Sequence, residues 1–267
     1  TMPKTIEKTP KFEALMRYAK VLQCDEIYTK IDPITGLQSM IAIHDTTLGP
    51  AIGGCRYYYY DSIRHAIKDV LRLSFMMTLK ASISGLNNGG AKAVVIRPKN
   101  VKDKDEAALF RSFGDFVNQM QGRYVTSMDV GTTVPEMNYV GERTPYVIGN
   151  DNGDLRLNDP SPYTADGLFY GIKAAVQFKH GHDNLNGLHI AMQGAGKVSF
   201  LLAKQLVEAG ATLTVCDKNT ENASAFKKEF SAKVVGIDDI FDTKCDIFAP
   251  CAIGGIINAH NLKRIKA

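Results

Sequence analysis

"HIAMQGAGKVSFLLAKQL", residues 189 to 206, is the stretch on which the fold turns. A short apolar run from His189 to Gln193 meets Gly194-x-Gly196-x-x-Ser199, and apolar residues at helical period follow. Glycines at such a junction permit a tight turn and let backbone approach a pyrophosphate, whose charge the helix amino terminus holds. Ser199 stands where a third glycine is usual and is still small enough for helix-on-strand packing. At the end of the next β-rich run, "TLTVCD", stands Asp217, a carboxylate able to accept hydrogen bonds from an adenosine ribose. A plain strand-to-helix turn would need the small residues but not the distal acid. The expectation is therefore a dinucleotide site built from Gly194, Ala195, Gly196, Lys197, Val198, Ser199 and Asp217. Asp217 would repel a 2′-phosphate and so favours NAD, whereas Lys218 beside it keeps NADP open.

Working outward, strand and helix patterns alternate at the spacing of a parallel sheet: helix in "ADGLFYGIKAAVQFKH", strand in "LHIAMQ", helix in "KVSFLLAKQLVEAG" closed by Gly210, strand in "TLTVCD". Upstream, "DEIYTKIDPITGLQSMIAIHD" reads as a hairpin about a Pro/Gly turn. "DSIRHAIKDVLRLSFMMTLK" has a helical period, with Asp61 or Ser62 as its cap and an end near Gly85. A glycine loop, the strand "AVVI", the helix "DEAALFRSFGDFVNQM" and the strand "RYVTS" come next. Tyr57 to Tyr60 read as an alternating strand with one face buried. The segment "GNDNGDLRLNDPSPYT" is dense in Gly, Asn, Asp and Pro and reads as the linker. These patterns predict an α/β protein with an α/β substrate and oligomerisation domain over residues 1–150 and a Rossmann-type domain over 151–267.

The length of 267 residues suits two domains of ordinary size. No apolar run reaches membrane-spanning length, and the visible amino end carries no apolar signal core, so a cytoplasmic protein is expected. Cys24, Cys55, Cys216, Cys245 and Cys251 form no CxxC or Cys/His cluster with metal-ligand spacing and read as reduced thiols, with no metal expected. A net charge of +4, with basic residues interspersed among acids, points neither to a nucleic-acid footprint nor to a membrane patch.

One local exception is "MTLKASISGLNNGGAKAV", residues 77 to 94, where Lys80 and Lys92 flank the glycine loop and no Asp or Glu occurs from Leu71 to Val101. Lysine usually ends in solvent. Lys80, however, follows the apolar "LSFMMTL", and Lys92 opens a strand of a sheet expected to be buried. In such surroundings desolvation and a cationic neighbour lower a lysine's proton affinity and prepare it as a base. Two lysines with loop amides would hold an anion such as a carboxylate. Asp129, in "TSMDVGTT", follows a strand; it reads either as the cap of the next helix or as a catalytic acid at a strand end.

"LGPAIGGCR", "MTLKASISGLNNGGAK", "DVGTT", "DPSPYTADG", "QGAGKV" and "CDIFAPCAIGGIIN" occur in the order and spacing of the Glu/Leu/Phe/Val amino acid dehydrogenases, so the chain resembles that family from about Ala42 onward, most closely its leucine branch. The resemblance implies reversible oxidative deamination of an L-amino acid, with NAD as cofactor and a homo-oligomer. It implies that Lys80 grips the substrate carboxylate, that Lys92 activates water, and that Asp129 relays the amino-group proton. It places Gly53 and Gly54 as backbone beside the substrate, Ile52 and Ser127 around its side chain, Thr164 near the nicotinamide amide, and Cys251 and Ala252 beside the cofactor's ribose and ring. Leucine, valine or isoleucine lead as substrates, with phenylalanine or another aromatic amino acid as the alternative. Glutamate is disfavoured because no Lys or Arg is evident for its second carboxylate. The family pattern continues past Ala267, so a shortened carboxyl end is expected, and with it a third reading: a catalytically silent NAD-binding paralogue.

Overall fold

The computed structural model describes residues 10–98, 103–151 and 159–267, with side chains from residue 13 and again from residue 106. The chain forms two compact units, Thr1–Asn158 and Asp159–Ala267. The expected boundary at 150/151 differs from this division by a segment of which residues 152–158 lie outside the described residues.

The first unit runs α1 (Pro10–Val21), β1 (Glu26–Asp32), β2 (Leu37–Asp45), β3 (Ala51–Tyr58), α2 (Ile63–Ile83), β4 (Gly89–Ile96), α3 (Asp103–Asn118), β5 (Tyr124–Met128) and α4 (Val134–Gly141). Its strands lie in the order β1-β2-β4-β3-β5. The β1–β2 hairpin closes through Asp32, whose Oδ1 accepts the Ile34 N–H at 3.0 Å, and Gly36 at φ +77°. β2 runs antiparallel to β4, while β3, β4 and β5 are parallel.

Alternation along the parallel strands sorts side chains between two apolar layers. Ala51, Cys55, Tyr57, Ala91, Ala93, Val95 and Tyr124 join Phe110, Phe113 and Val140 of α3 and α4. Val94 on the opposite face joins Ala66, Val70 and Leu71 of α2. Each large side chain so buried contributes roughly 1.5–3 kcal/mol. α2 starts as read, with Ser62 accepting the His65 N–H at 3.3 Å, and its chain turns away at Gly85, φ +67°.

The glycine loop expected ahead of "AVVI" is instead part of β4, which starts at Gly89. The reason is space: a Cβ on Gly89 would collide with the Asp45 carbonyl, and one on Gly90 with the Thr78 backbone and hydroxyl. Glycine here lets the strand run tight between β2 and α2. Tyr57 and Tyr58 close β3, with Tyr57 buried and Tyr59 exposed beyond it.

The second unit contains α5 (Ser161–His180), β6 (His189–Gln193), α6 (Lys197–Glu208), β7 (Thr212–Cys216), α7 (Thr220–Phe230), β8 (Lys233–Val234) and β9 (Ile247–Pro250). Its sheet, β8-β7-β6-β9, is parallel throughout. The tail of the expected linker, from Ser161, is the first turn of α5. The α/β class read from the sequence is the one found. Among the described residues no helix is long and apolar enough to cross a membrane.

Candidate active site

The face of the first sheet that carries Val94 also carries Gly90 and Lys92 on β4, Ile52, Gly54 and Arg56 on β3, and Ser127 on β5, by the two-residue alternation of each strand. Asp129, directly after β5, places its carboxylate over this face. Lys92 Nζ lies 3.0 Å from Asp129 Oδ1, and Arg56 Nε donates to Asp129 Oδ2 at 2.7 Å. Lys92 is 4 % exposed and Arg56 6 %. Behind them Asp69 on α2 accepts Arg56 Nη1 at 2.8 Å and the Tyr60 hydroxyl at 2.7 Å, and pairs with Arg72.

Burial of these charges costs several kcal/mol per ion before pairing, so packing alone does not explain the cluster. Burial drives the Lys92 ammonium below its ordinary range; the Asp129 carboxylate opposes that shift and the Arg56 charge reinforces it. Burial pushes Asp129 up, but Lys92 and Arg56 outweigh it and hold the carboxyl below the usual range. The result is a lysine prepared to lose its proton beside a carboxylate prepared to keep its charge.

Local chemistry explains how Asp129 is free for this. The cap of α4 is Thr133, whose backbone N–H and hydroxyl both donate to the Glu136 carboxylate at 2.6 Å, so the capping role that Asp129 could have filled is taken. Thr132 Oγ1 accepts the Asp129 N–H at 2.9 Å and contacts the Cys55 carbonyl at 3.0 Å, which fixes the loop to β3. Gly131 takes φ +84° with the Tyr57 carbonyl where a Cβ would be.

Lys92 departs from the expectation of an acid-free pocket: the sequence window between Leu71 and Val101 lacks acids, but Asp129 arrives from β5 and Asp69 stands just outside that window. Lys80 departs from the expectation of apolar surroundings. It is exposed on the last turn of α2 and makes no ion pair among the described residues. Gly53 and Gly54 do bring backbone close, but to this chain itself: a Cβ on Gly53 would strike the Ala91 carbonyl, and one on Gly54 would lie 2.9 Å from Asp129 Cβ. The Gly53 carbonyl is taken by the buried Tyr124 hydroxyl at 2.7 Å. Ile52 and Ser127 are half-buried. Arg56 and Asp69 carried no role in the sequence reading. An arginine at an inward position of a strand as apolar as "AIGGC" was the available signal.

In the second unit β6 is followed by Gly194 at φ +101°, with Ala252 N 2.8 Å from where a Cβ would be, so this position admits glycine alone. Gly196 begins α6 with no side chain to cap it, and nothing lies within 4 Å of its Cβ direction. The first-turn N–H groups of Lys197, Val198 and Ser199 have no partner within their helix, and such a terminus suits an anion. Ser199, in the first turn of α6, is buried. Asp217 holds the loop, accepting the Ala195 N–H at 2.6 Å and the Asn219 N–H at 2.7 Å, and its remaining lone pairs stay available. Lys197 pairs with Asp159 at 2.6 Å. Thr164 donates its hydroxyl to the Pro160 carbonyl at 2.8 Å and keeps acceptor capacity. Cys251 donates its N–H to the Gln193 carbonyl at 2.8 Å; all five cysteines are free. The open cradle at Gly196, the uncapped helix and the carboxylate at the end of β7 fit a pyridine dinucleotide.

Residues 20–146 match the Glu/Leu/Phe/Val dehydrogenase dimerisation domain. The leucine dehydrogenase of Geobacillus stearothermophilus is 45 % identical over 253 residues, covering 95 % of this chain and 68 % of that protein. The phenylalanine dehydrogenase of Lysinibacillus sphaericus is 42 % identical over 270 residues, 99 % of this chain and 70 % of that one. The crystal structure of L-tryptophan dehydrogenase from Nostoc punctiforme superposes with a TM-score of 0.66 at 35 % identity, covering 95 % of this chain and 71 % of that one. With a buried lysine–carboxylate pair on one sheet and a glycine turn before an uncapped helix on the other, the chain belongs to the Glu/Leu/Phe/Val dehydrogenases, pyridine-nucleotide-dependent oxidoreductases of amino acids.

Proposed function

We propose that the protein catalyses NAD-dependent, reversible oxidative deamination of a branched-chain L-amino acid (leucine, valine or isoleucine) to the 2-oxo acid and ammonia. The observation that carries this reading is the buried Lys92–Asp129 pair at 3.0 Å. Lys80, with its free ammonium, binds the substrate carboxylate. Lys92 in its neutral form takes a proton from the water that attacks Cα of the imino acid, and in its charged form stabilises the oxyanion that develops there. Asp129 orients Lys92 and passes the proton to and from the substrate amino group. The bound nicotinamide supplies the acceptor for the Cα hydride. The glycine loop and the first turn of α6 hold the pyrophosphate, and Asp217 the adenosine ribose, where its charge disfavours a 2′-phosphate.

Similarity to leucine dehydrogenases at 43–45 % identity supports the branched-chain substrate. Similarity to a phenylalanine dehydrogenase at 42 % supports the aromatic alternative. Initial rates of NADH formation at alkaline pH on a panel of L-amino acids test both readings. Leucine is expected to exceed phenylalanine in kcat/KM by at least tenfold, about 1.4 kcal/mol of discrimination. The reverse order makes the aromatic reading correct, and NADH binding without turnover of any amino acid would sink both in favour of a silent NAD-binding protein. A homo-oligomer formed through the first unit fits the half-exposed edge strand β1 and is measured by sedimentation velocity.

A further inference from the structure

Lys92 and Asp129 are assigned above to the chemistry; the charges behind them are not. Arg56, on β3, donates from Nε to Asp129 Oδ2 at 2.7 Å and from Nη1 to Asp69 Oδ2 at 2.8 Å. Asp69 is in turn held by the Tyr60 hydroxyl at 2.7 Å and by Arg72. Lys92, Asp129, Arg56, Asp69 and Arg72 thus alternate in sign from the buried sheet face to the partly exposed side of α2. A buried ion series of this kind is a poor way to stabilise a fold, since apolar residues of similar volume often do as well or better. A planar guanidinium, however, holds two carboxylates at fixed angles, which an ammonium does not.

Resting on the reading of Lys92 as the base, we propose that Arg56, tethered by Asp69, is a positioning residue that fixes the rotation of the Asp129 carboxylate so that Oδ1 is presented to Lys92, and that sets a second cation behind the pair.

The groups that face Lys92 are Asp129 from the loop after β5 and Arg56 from β3, while the Cys55 thiol acts on it from the opposite face of the sheet. On β2, His44 spends its ring nitrogens on Thr78 Oγ1 at 2.9 Å and the Leu22 carbonyl at 2.8 Å. On α2, Asp69 and Arg72 reach the pair through Arg56. The electrostatic sign follows. Removing the Arg56 charge makes the Lys92 ammonium easier to keep, whereas neutralising Asp69 leaves Arg56 uncompensated and makes that ammonium harder to keep. Opposite signs from neighbouring positions are not what loosened packing produces.

The test titrates Lys92 directly, as its Cε resonance in protein carrying ¹³C-labelled lysine, assigned through Lys92→Met. It compares the wild type with Arg56→Gln, Arg56→Lys and Asp69→Asn, alongside the pH profile of kcat/KM. Arg56→Gln is expected to move the Lys92 midpoint and the acidic limb upward by about one pH unit and to lower kcat on the order of a hundredfold. Arg56→Lys is expected to restore the midpoint but only part of kcat, and Asp69→Asn to move the midpoint downward. If Arg56→Gln fails to fold, the remaining two variants carry the same comparison. Midpoints that coincide in all folded variants, or that move the same way in Arg56→Gln and Asp69→Asn, overturn the proposal. Variants whose Lys92 midpoints move as stated, beside a wild type that turns over no amino acid, overturn the deamination reading and leave the positioning role of Arg56 standing.

Discussion

Gly54 and Asp129 are fitted to each other. A Cβ on Gly54 would lie 2.9 Å from the Asp129 Cβ and 2.6 Å from the Met128 carbonyl oxygen, so the carboxylate stands over bare backbone. Gly54→Ala is therefore expected to push Asp129 off Lys92 and to cost on the order of a hundredfold in kcat, with NADH affinity retained. Kinetics beside a fluorescence titration with NADH check it, and unchanged kcat would show that the carboxylate tolerates displacement.

Lys92 and Lys80 are expected to separate in their kinetics. Lys92→Ala removes the proposed proton acceptor and should lower kcat on the order of a thousandfold while NADH still binds. Lys80→Ala should raise KM for the amino acid with little change in kcat, because a carboxylate grip is shared by ground and transition states. Equal loss of cofactor affinity in the Lys92 variant would speak against its assignment.

Asp217→Ala removes both the acceptor of the Ala195 and Asn219 N–H groups and the proposed ribose partner. NADH affinity is expected to fall at least tenfold, about 1.4 kcal/mol, and the preference for NADH over NADPH to shrink. Direct titration with both nucleotides measures it; an unaltered ratio would remove Asp217 from cofactor discrimination.

Stability should depend on pH in two windows of opposite origin. Asp129, held low by Lys92 and Arg56 against its burial, binds protons less readily folded than unfolded. Its contribution is present above about pH 4 and is lost as pH falls through the folded value. Lys92 is also lowered, so the unfolded chain binds its proton where the folded chain does not, and stability gains as pH rises from the folded value toward about 10.4. In thermal melts the advantage of wild type over Asp129→Asn should shrink on acidification below pH 4. Its standing relative to Lys92→Met should improve between pH 7 and pH 10. A trend of opposite sign in either series contradicts the corresponding assignment.

Much of this was legible in the chain. The β6–α6 turn announced itself because its needs are local: a left-handed glycine, a bare helix start, a small residue against the sheet, and an acid one strand away. The hairpin and the limits of α2 were likewise set by nearby turn and cap residues. What the sequence hid was spatial. Asp129 reaches Lys92 only because β5 and β4 both border β3, a relation that no spacing along the chain encodes. For the same reason spacing along the chain does not reveal that Arg56 meets Asp129. Gly89 and Gly90 suggest a loop because glycine is weak in strands, whereas crowding from Asp45 and Thr78 demands it within β4.

That crowding has a use. With Thr78 seated against Gly90, α2 cannot slide along β4, so the helix bearing Lys80 and the strand bearing Lys92 are keyed in register. On the proposed roles, the pair becomes a gauge for how far a carboxylate lies from the carbon that loses hydride. An α-amino acid of any modest side chain meets that measure; a β-amino acid, one methylene longer between the two groups, does not.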